Sequence, residues 1–522
     1  MSQNNNYGFT FIDFAALIFL VFIFSIVIVP KSINYFKGNQ KKDFLNKTNR
    51  IVKKVLQEHN NKKMIYTYED KKETSVNKLN YKGFKPETGT IIINKEGKVA
   101  LSFYEDKYCA AKDYYEDEIK VTEKEKKDCL LPYTDDSGAM APVLKKEMIP
   151  VVFDGTNWVK ADISKEWYNY DTKKWANVVL ITELLRDFYQ RSEPGTKVEE
   201  VDILAHFVWI PRYKYKLFNV NSLSTNVKEI SIKFETIYDS KSNGNNNDEW
   251  LTHPAFTFGS DELNGIWVGK FETTGTRSKP TIKPNMKALS SQNIGLQFSI
   301  AKIFNNKTYG LVKSDDAHMM KNIEWGAVTY LTNSKYGKNK EVWVNPSKDF
   351  ITGCAGDTVS SPLMPDCPNS YTSKKGQEAS TTGNVYGIYD MSGGTAEYVM
   401  GGLYNSSQTN LKLSLATFGE VVIDDPNISK YIDKYDYGIS SQNQTAYNRR
   451  MLGDATGETR GWNQNQANFI MDDPIWNDYG NFWFIRGGYY NDKEKAGIFA
   501  FSHQDGSAYK YNGFRVVLPG KK

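Results

Sequence analysis

The pattern of apolar and polar residues predicts two helical stretches at the start of the chain. An apolar run extends from Phe14 to Val29, is followed by Pro30, and is about long enough to cross the hydrocarbon core of a membrane. From Ser32 to about Asn61, apolar residues recur at helical spacing between lysines, asparagines and glutamates. This predicts a helix with one apolar stripe, formed by Phe44, Ile51, Val52, Val55 and Leu56. The alternative is a solvated spacer helix that packs on nothing.

Further along, the pattern changes to one that predicts β-strands and then a loop-rich domain. Short apolar runs at residues 90–93 and 99–103 are separated by a polar turn at 94–97, which predicts a small antiparallel sheet. All eleven tryptophans lie beyond residue 150. Because this part is also rich in Gly and Asn and has few long helical patterns, it indicates a compact α+β domain.

Length and charge narrow the classes of protein that fit. At 522 residues the chain is too long for one ordinary domain. Its net charge is only +5 and its basic residues are dispersed, so no nucleic-acid partner is expected. An aromatic content of 14% argues against a disordered chain.

The four cysteines form two close pairs in the sequence. Cys109 and Cys129 bracket a charged loop, and Cys354 and Cys367 bracket a second loop. Neither pair has the C-x-x-C spacing of zinc sites, and no histidine lies near them. We therefore predict two disulfides, which are typical of an oxidising exterior; the alternative is four reduced thiols.

The residues around the start of the apolar run resemble the N-terminus of type IV pilins and type II secretion pseudopilins. The sequence there reads GFTFID, from Gly8 to Asp13. The resemblance implies cleavage by a prepilin peptidase after Gly8 and methylation of the new terminal residue, Phe9. It also implies that Asp13 pairs with the terminal ammonium of a neighbouring subunit. A plain membrane anchor is the alternative.

The C-terminal part contains several sequence blocks in a specific order. They include the strand-like residues 265–274, the helix-like residues 297–304 and 319–327, the segment 383–398 (GNVYGIYDMSGGTAEY) and the terminal RGGYY and GFRVVL sequences. Together they resemble the formylglycine-generating, sulfatase-modifying-factor family, which has a variant of the C-type lectin fold. The oxidases of that family hold copper with a C-terminal pair of cysteines. No cysteine follows Cys367 here, so we expect neither copper nor an enzyme.

The same resemblance implies a calcium site in the segment 383–398. Its positions would be Asp390, Gly393, Thr395 and Glu397, which supply the hard oxygen ligands that calcium prefers. The alternative is structural: Asp390 caps a turn, and Glu397 pairs with Arg486 or Arg515.

Between RGG and GFR, the chain resembles the variable region of lectin-fold receptors that retroelements diversify. This implies an exposed ligand-contacting face rich in Tyr, Ser and Asn, which are good recognition residues. The face would comprise Tyr489, Tyr490, Asn491, Asp492, Ser502, Gln504, Asp505, Ser507, Tyr509, Tyr511 and Asn512. The alternative is a solvated loop without a ligand.

These interpretations combine into one predicted architecture of class α+β. It has a prepilin leader at 1–8, a membrane-spanning and stalk helix at 9–62, a small β-rich pilin-like domain at 63–150 and a large C-type-lectin-fold head at 151–522. The predicted location is the bacterial cell membrane, crossed once, with the head outside the cell.

The predicted function is a minor pilin or pseudopilin that displays a non-catalytic binding head for adhesion or ligand recognition. Its partners would be the prepilin peptidase, other pilin subunits, the membrane and an extracellular protein or glycan. Two alternatives stay open: a structural pseudopilin of a secretion or DNA-uptake machine, and an enzyme of the formylglycine-generating class.

Overall fold

The computed structural model describes residues 29–60, 74–75, 82–93, 98–112, 118–131, 133–220, 224–357, 367–405, 429–437, 451–462 and 483–521. The chain divides into two compact units, residues 1–132 and 133–522. The change in composition along the sequence predicts the corresponding boundary between residues 150 and 151. The segment from Tyr133 onwards belongs to the second unit because Ala139 and Met148 lie in its core, and because the indole of Trp209 donates a hydrogen bond to the carbonyl of Met140 (3.0 Å).

Unit 1 is a helix packed on an antiparallel sheet. The helix α1 spans Val29–Asn60. The strands, in the order β1-β2-β3-β4-β5 across the sheet, are β1 (Thr74–Ser75), β2 (Thr88–Ile93), β3 (Val99–Glu105), β4 (Tyr108–Lys112) and β5 (Lys120–Glu123).

The apolar stripe of α1 packs against the sheet, as its helical spacing predicts. Phe44, Ile51 and Val55 are buried in a cluster with residues of β2 and β3, including Ile91 and Leu101. Opposite this stripe, α1 carries exposed lysines and other polar residues. The helix is therefore held to the sheet by one face, as expected for an amphipathic surface helix.

The predicted α+β class, led by an extended membrane-spanning pilin helix, is wrong. Strands dominate the described part of the chain, and within that part no helix is both long and apolar enough to cross a membrane. The predicted single-pass membrane location is corrected by the same finding. The long helix that the structure does describe, α1, carries Lys41, Lys53 and Lys54 along its length, and these charges would be costly in hydrocarbon. Gly8, Phe9, Asp13 and most of the apolar run lie outside the described residues.

Unit 2 contains one large antiparallel sheet. Its strand order is β18-β24-β15-β9-β8-β6-β7. These strands are β6 (Ile149–Phe153), β7 (Trp158–Lys160), β8 (Asn177–Ile181), β9 (Ile203–Pro211), β15 (Gly265–Gly269), β18 (His318–Met319) and β24 (Val516–Pro519).

A second sheet has the order β20-β19-β21-β22, with β23 also paired to β19. Its strands are β19 (Ala396–Asn405), β20 (Asp433–Tyr437), β21 (Trp483–Arg486), β22 (Phe501–Gln504) and β23 (Asn512–Phe514). Strands β20 and β23 run parallel to β19, whereas β21 runs antiparallel to it.

Short strands and three helices complete unit 2 as described. The strands are β10 (Tyr213–Lys216), β11 (Ile232–Phe234), β12 (Trp250–Thr252), β13 (Thr257–Phe258), β14 (Asp261–Glu262), β16 (Thr274–Gly275) and β17 (Pro280–Thr281). The helices are α2 (Arg186–Arg191), α3 (Ile294–Lys302) and α4 (Asn322–Thr332). The core is aromatic, and its largest fully buried side chains include Trp175, Trp209, Trp267, Trp325, Trp462 and Trp483.

Local sequence explains where the predicted helices begin. Asn293 caps α3 because its side chain accepts a hydrogen bond from the backbone N–H of Leu296 (2.9 Å). At α4 the carboxylate of Glu324 accepts from the backbone N–H of Lys321 (2.8 Å), which satisfies a free donor at the helix start.

Both predicted disulfides are confirmed. Cys109 is bonded to Cys129 and Cys354 to Cys367, with Cα–Cα distances of 5.4 Å and 5.0 Å. In unit 1 the bond ties β4 to the segment after β5, beside a small cluster of Ile92, Ala100 and Leu131.

Removing the first disulfide should destabilise unit 1. Because its cysteines are 20 positions apart in the sequence, the chain-entropy model predicts a loss of about 3 kcal/mol for the double substitution Cys109→Ser and Cys129→Ser. Hydrogen exchange with mass spectrometry on the full chain should show faster exchange in β3 and β4. Glu125→Ser, which removes only an exposed ion pair with Lys127, should leave exchange unchanged. Equal exchange in the wild type and the double variant would contradict the prediction.

Candidate functional site

A cavity of about 350 Å³ opens beside the second sheet of unit 2, a size typical of small-ligand sites. Its lining combines apolar and aromatic side chains with a few polar ones. The lining residues are Ala396, Ile485, Gly488, Tyr489, Asp492, Lys495, Ala500, Phe501, Ser502, Gln504, Tyr511 and Asn512.

The strands of the second sheet bring these residues together from distant parts of the sequence. Ile485 on β21 lies opposite Ser502 on β22, and Ala396 on β19 lies opposite Asn512 on β23. Gln504 follows Ser502 by two positions, so strand alternation places both on one face. The floor of the cavity is therefore built on paired strands, which are more rigid supports than loops.

Two glycines turn the chain from β21 into the rim of the cavity. Gly487 and Gly488 have φ angles of 82° and 69°, a region that residues with a Cβ rarely adopt. A Cβ on Gly488 would lie 2.9 Å from the Cα of Ala496 and 3.0 Å from a carboxylate oxygen of Asp492. Both conformation and space therefore require glycine here.

Asp492 fixes the position of an aromatic wall. Its carboxylate accepts a hydrogen bond from the backbone N–H of Tyr489 (2.9 Å) within the 3-10 segment Tyr490–Lys495. Burial raises the pKa of Asp492 above its usual value. The next residue, Lys493, has φ 52° and ψ −119°, a conformation that costs about 1–3 kcal/mol for a residue other than glycine.

Polar side chains at the other end of the cavity form a connected network. The hydroxyl of Tyr398 donates to the amide oxygen of Gln504 (3.2 Å) and to the carbonyl of Ser507 (3.1 Å). The amide of Asn512 donates to the same oxygen of Gln504. The amide of Gln297 donates to the carbonyl of Asn512 (3.1 Å), which ties α3 to the cavity floor.

The structure brings together six of the eleven residues in the predicted ligand face. Tyr489, Asp492, Ser502, Gln504, Tyr511 and Asn512 line the cavity. Tyr490 and Tyr509 flank it through ring contacts with Tyr489 and Tyr511. Asn491 donates a hydrogen bond to the hydroxyl of Tyr489 (3.3 Å).

Asp505 and Ser507 do not line the cavity. They form a turn of their own, in which the backbone N–H and the hydroxyl of Ser507 donate to Asp505 (2.9 Å and 2.8 Å). Three lining residues were not predicted from the sequence. Ala396 lies far from the variable-like segment in sequence, Ile485 directly precedes the RGG sequence, and Lys495 lies within the segment.

The residues of the predicted calcium site have protein partners. The carboxylate of Asp390 accepts from the side chain of Asn345 (2.8 Å) and from the backbone N–H of Gly353 (2.9 Å). Glu397 forms a two-pronged ion pair with Arg515, at 2.5 Å and 3.2 Å. This pair is the one named in the structural alternative. In the described ranges no group of three or more His, Cys, Asp or Glu side chains is arranged to hold a metal, and calcium binding stays a prediction.

The other two positions of that site also have defined contacts. The backbone N–H of Gly393 donates to the carbonyl of Gly487 (3.3 Å). The backbone N–H and hydroxyl of Thr395 both donate to one carboxylate oxygen of Glu272 (2.8 Å and 2.6 Å). The segment thus connects the rim of the cavity to a buried carboxyl group.

Glu272 completes a buried acidic cluster that the sequence analysis did not identify. Glu272, Asp390, Glu397 and Arg515 are all buried, so three carboxyl groups share one guanidinium. The second carboxylate oxygen of Glu272 has no hydrogen-bond partner in the described part of the chain. Burial, followed by the charges of Asp390 and Glu397, raises the pKa of Glu272 well above its usual value. Burial also raises the pKa of Asp390 to about 6.

Other buried ionisable side chains form hydrogen bonds with neighbouring protein groups. The ammonium of Lys270 donates to the side chain of Asn177 and to the carbonyls of Val385 and Gly387, at 2.6–2.9 Å. His318 contacts the carbonyl of Asp316 with one ring nitrogen (2.7 Å) and Glu324 with the other (3.0 Å). These groups have structural partners, and the cavity lies elsewhere.

The raised pKa of Glu272 predicts a pH dependence of stability. The folded state holds a proton that the unfolded chain releases above its ordinary carboxyl pKa, so this stabilisation is present at low pH and lost as pH rises. Unfolding by denaturant should therefore require less denaturant at about pH 8 than at about pH 5. Glu272→Gln, which mimics the protonated acid, should reduce this loss and be more stable than wild type at the higher pH.

The control for this experiment is Glu199→Gln. Glu199 is exposed and paired with Lys197, so its substitution should leave the pH dependence unchanged. A Glu272→Gln variant with the same pH dependence as wild type would show that Glu272 ionises normally in the folded state.

No known protein family matches this chain, and no curated protein matches it either. The residues of the cavity and their chemistry therefore carry the functional argument.

Proposed function

We propose that this protein is a ligand-recognition protein that binds its ligand in the cavity between β19, β21, β22 and the Tyr490–Lys495 segment. The observation that carries the proposal is the convergence of aromatic and hydrogen-bonding side chains on one concave surface. A concave site with apolar walls and a few oriented polar groups is the usual form of a ligand site. We propose a binding role without catalysis.

The distribution of rigidity and strain supports this role. The floor lies on paired strands, and Gln504, Tyr398 and Asn512 are joined by hydrogen bonds. At the rim, Lys493 keeps an unfavourable backbone conformation. Strain of this kind concentrates at ligand-binding segments, because the surrounding structure must hold it in place.

The lining is also composed of residues suited to recognition. Tyr489 and Tyr511 provide large contact areas with little loss of side-chain entropy. Ser502, Gln504 and Asn512 can each donate and accept hydrogen bonds. The resemblance to diversified lectin-fold receptors, where the same segment contacts ligands, agrees with this choice of site.

Filling the cavity should abolish recognition. Ser502 is half-buried on the cavity wall, and Ser502→Trp would occupy the space that a ligand needs. On an array carrying both glycans and peptides, the full-length wild type should retain at least one class of immobilised ligand, and Ser502→Trp should lose it. Ser502→Ala, which removes the hydroxyl but leaves the cavity open, should weaken binding much less than Ser502→Trp, and Ser314→Trp, at an exposed serine, should bind as wild type does.

An array on which nothing is retained would contradict the proposal. So would binding that survives in Ser502→Trp. Thermal unfolding of each variant should show one common fold, which separates a blocked cavity from a collapsed domain.

Relieving the strain at the rim should separate stability from binding. Lys493→Gly places the residue that prefers positive φ at this position, and it should raise the free energy of unfolding by about 1 kcal/mol. The same variant should bind ligand more weakly, because the rim becomes less rigid. Denaturant unfolding and the array measurement check the two effects.

Lys510→Gly, at an exposed lysine outside the strained segment, is the control and should not gain stability. A Lys493→Gly variant that is less stable than wild type would show that no strain is stored there.

A further inference from the structure

A continuous row of aromatic rings runs past the cavity. It consists of Phe350, Tyr490, Tyr489, Tyr511 and Tyr509, which we call the tyrosine row. Successive ring centroids are 5.4, 5.3, 5.4 and 5.5 Å apart. Two of its members, Tyr489 and Tyr511, also line the cavity.

The four tyrosines of the row are partly exposed, unlike the aromatic side chains of the core. Each is only half-buried, whereas Trp325 and Trp483 of the same unit are fully buried. Aromatic side chains that contact one another and still face solvent form an apolar strip of surface, which marks an interaction site. Such a strip suits a ligand longer than the cavity.

Apart from the ammonium of Lys495, the polar groups of the lining beside the tyrosine row are neutral or already paired. Ser502 offers a hydroxyl and Gln504 an amide, groups that both donate and accept, whereas the amide of Asn512 is fully buried and bonded to Gln504. The one carboxylate of the lining, on Asp492, already accepts from the backbone of Tyr489. This set matches a ligand with many hydroxyl groups better than one with a single strong charge.

Charges near the row do not favour a phosphate-bearing ligand. The exposed lysines Lys493, Lys495 and Lys510 are accompanied by Asp492 and Asp505. The cavity lining contains no arginine, although arginine is the residue that usually provides two-pronged recognition of phosphate. A neutral ligand is therefore more compatible with the row than a nucleic acid.

We propose that the ligand is a neutral oligosaccharide chain whose sugar rings stack along the tyrosine row while one unit enters the cavity. The face of an aromatic ring carries negative potential, and the C–H bonds on the face of a sugar ring carry a small positive charge. The hydroxyl groups of the unit in the cavity exchange hydrogen bonds with the hydroxyl of Ser502 and the amide nitrogen of Gln504. This inference rests on the proposed function, since it assigns a ligand class to the same cavity.

The test is calorimetric binding of neutral sugars to the full-length protein. The probes are the β-1,4-linked hexasaccharides of glucose and of N-acetylglucosamine, together with the matching disaccharides. At least one hexasaccharide should bind, and it should bind about tenfold more tightly than its disaccharide, because stacking on more than one ring adds favourable contacts.

Variants of the row distinguish stacking from other contributions. Tyr489→Ala and Tyr511→Ala should each weaken binding of the hexasaccharide about tenfold. Tyr489→Phe and Tyr511→Phe keep the ring and should bind within about threefold of wild type. Tyr238→Ala, at an exposed tyrosine outside the row, should bind as wild type does. The Phe variants also keep the test valid if an Ala variant fails to fold.

Three results would overturn the inference: no neutral hexasaccharide binds, length makes no difference, or the Phe variants lose as much affinity as the Ala variants. If the array instead shows peptides or anionic polymers retained in a way that depends on Ser502, the saccharide inference falls and the proposed function stands. If nothing on the array depends on the cavity, both fall.

Discussion

The buried ion pair between Glu397 and Arg515 connects the two principal sheets of the second unit. Arg515 lies between β23, which pairs with β19, and β24, which pairs with β15. Its guanidinium binds Glu397 on β19 and also donates to the carbonyls of Gly269 (2.8 Å) and Tyr389 (3.0 Å). Removing one member of such a pair costs about 3–5 kcal/mol, because the other is left charged and buried.

The geometry of the cavity depends on this connection. Asn512, three residues before Arg515, lies opposite Ala396, which directly precedes Glu397. The same strand pairing therefore holds the ion pair and the cavity floor. On the other side, the backbone N–H of Gly393 bonds to the carbonyl of Gly487 at the turn into the rim. The segment predicted to bind calcium thus connects the buried acidic cluster to the rim of the cavity in the structure.

Sequence reasoning succeeded where the signal was local. The cysteine pairs were predictable from spacing, and the apolar stripe of α1 from its periodicity, with Phe44, Ile51 and Val55 buried as a stripe requires. It failed where the outcome depends on distant partners. The predicted α+β class with an extended membrane-spanning helix was wrong for the described residues, in which strands dominate. That prediction was based on a single apolar run at residues 14–29. Glu272 was missed because its role depends on Thr395, Asp390 and Glu397, more than a hundred residues away.

The sequence by itself predicted an aromatic and polar face of eleven residues within 489–512, through the resemblance of the segment between RGG and GFR to the variable region of lectin-fold receptors. Only the tertiary structure decided that six of these residues converge with Ala396 and Ile485 on one cavity, and that tyrosines at 489, 490, 509 and 511 form a continuous row. The physical reason is that strand pairing and ring packing join residues by position in space, and no local pattern encodes which strands become neighbours.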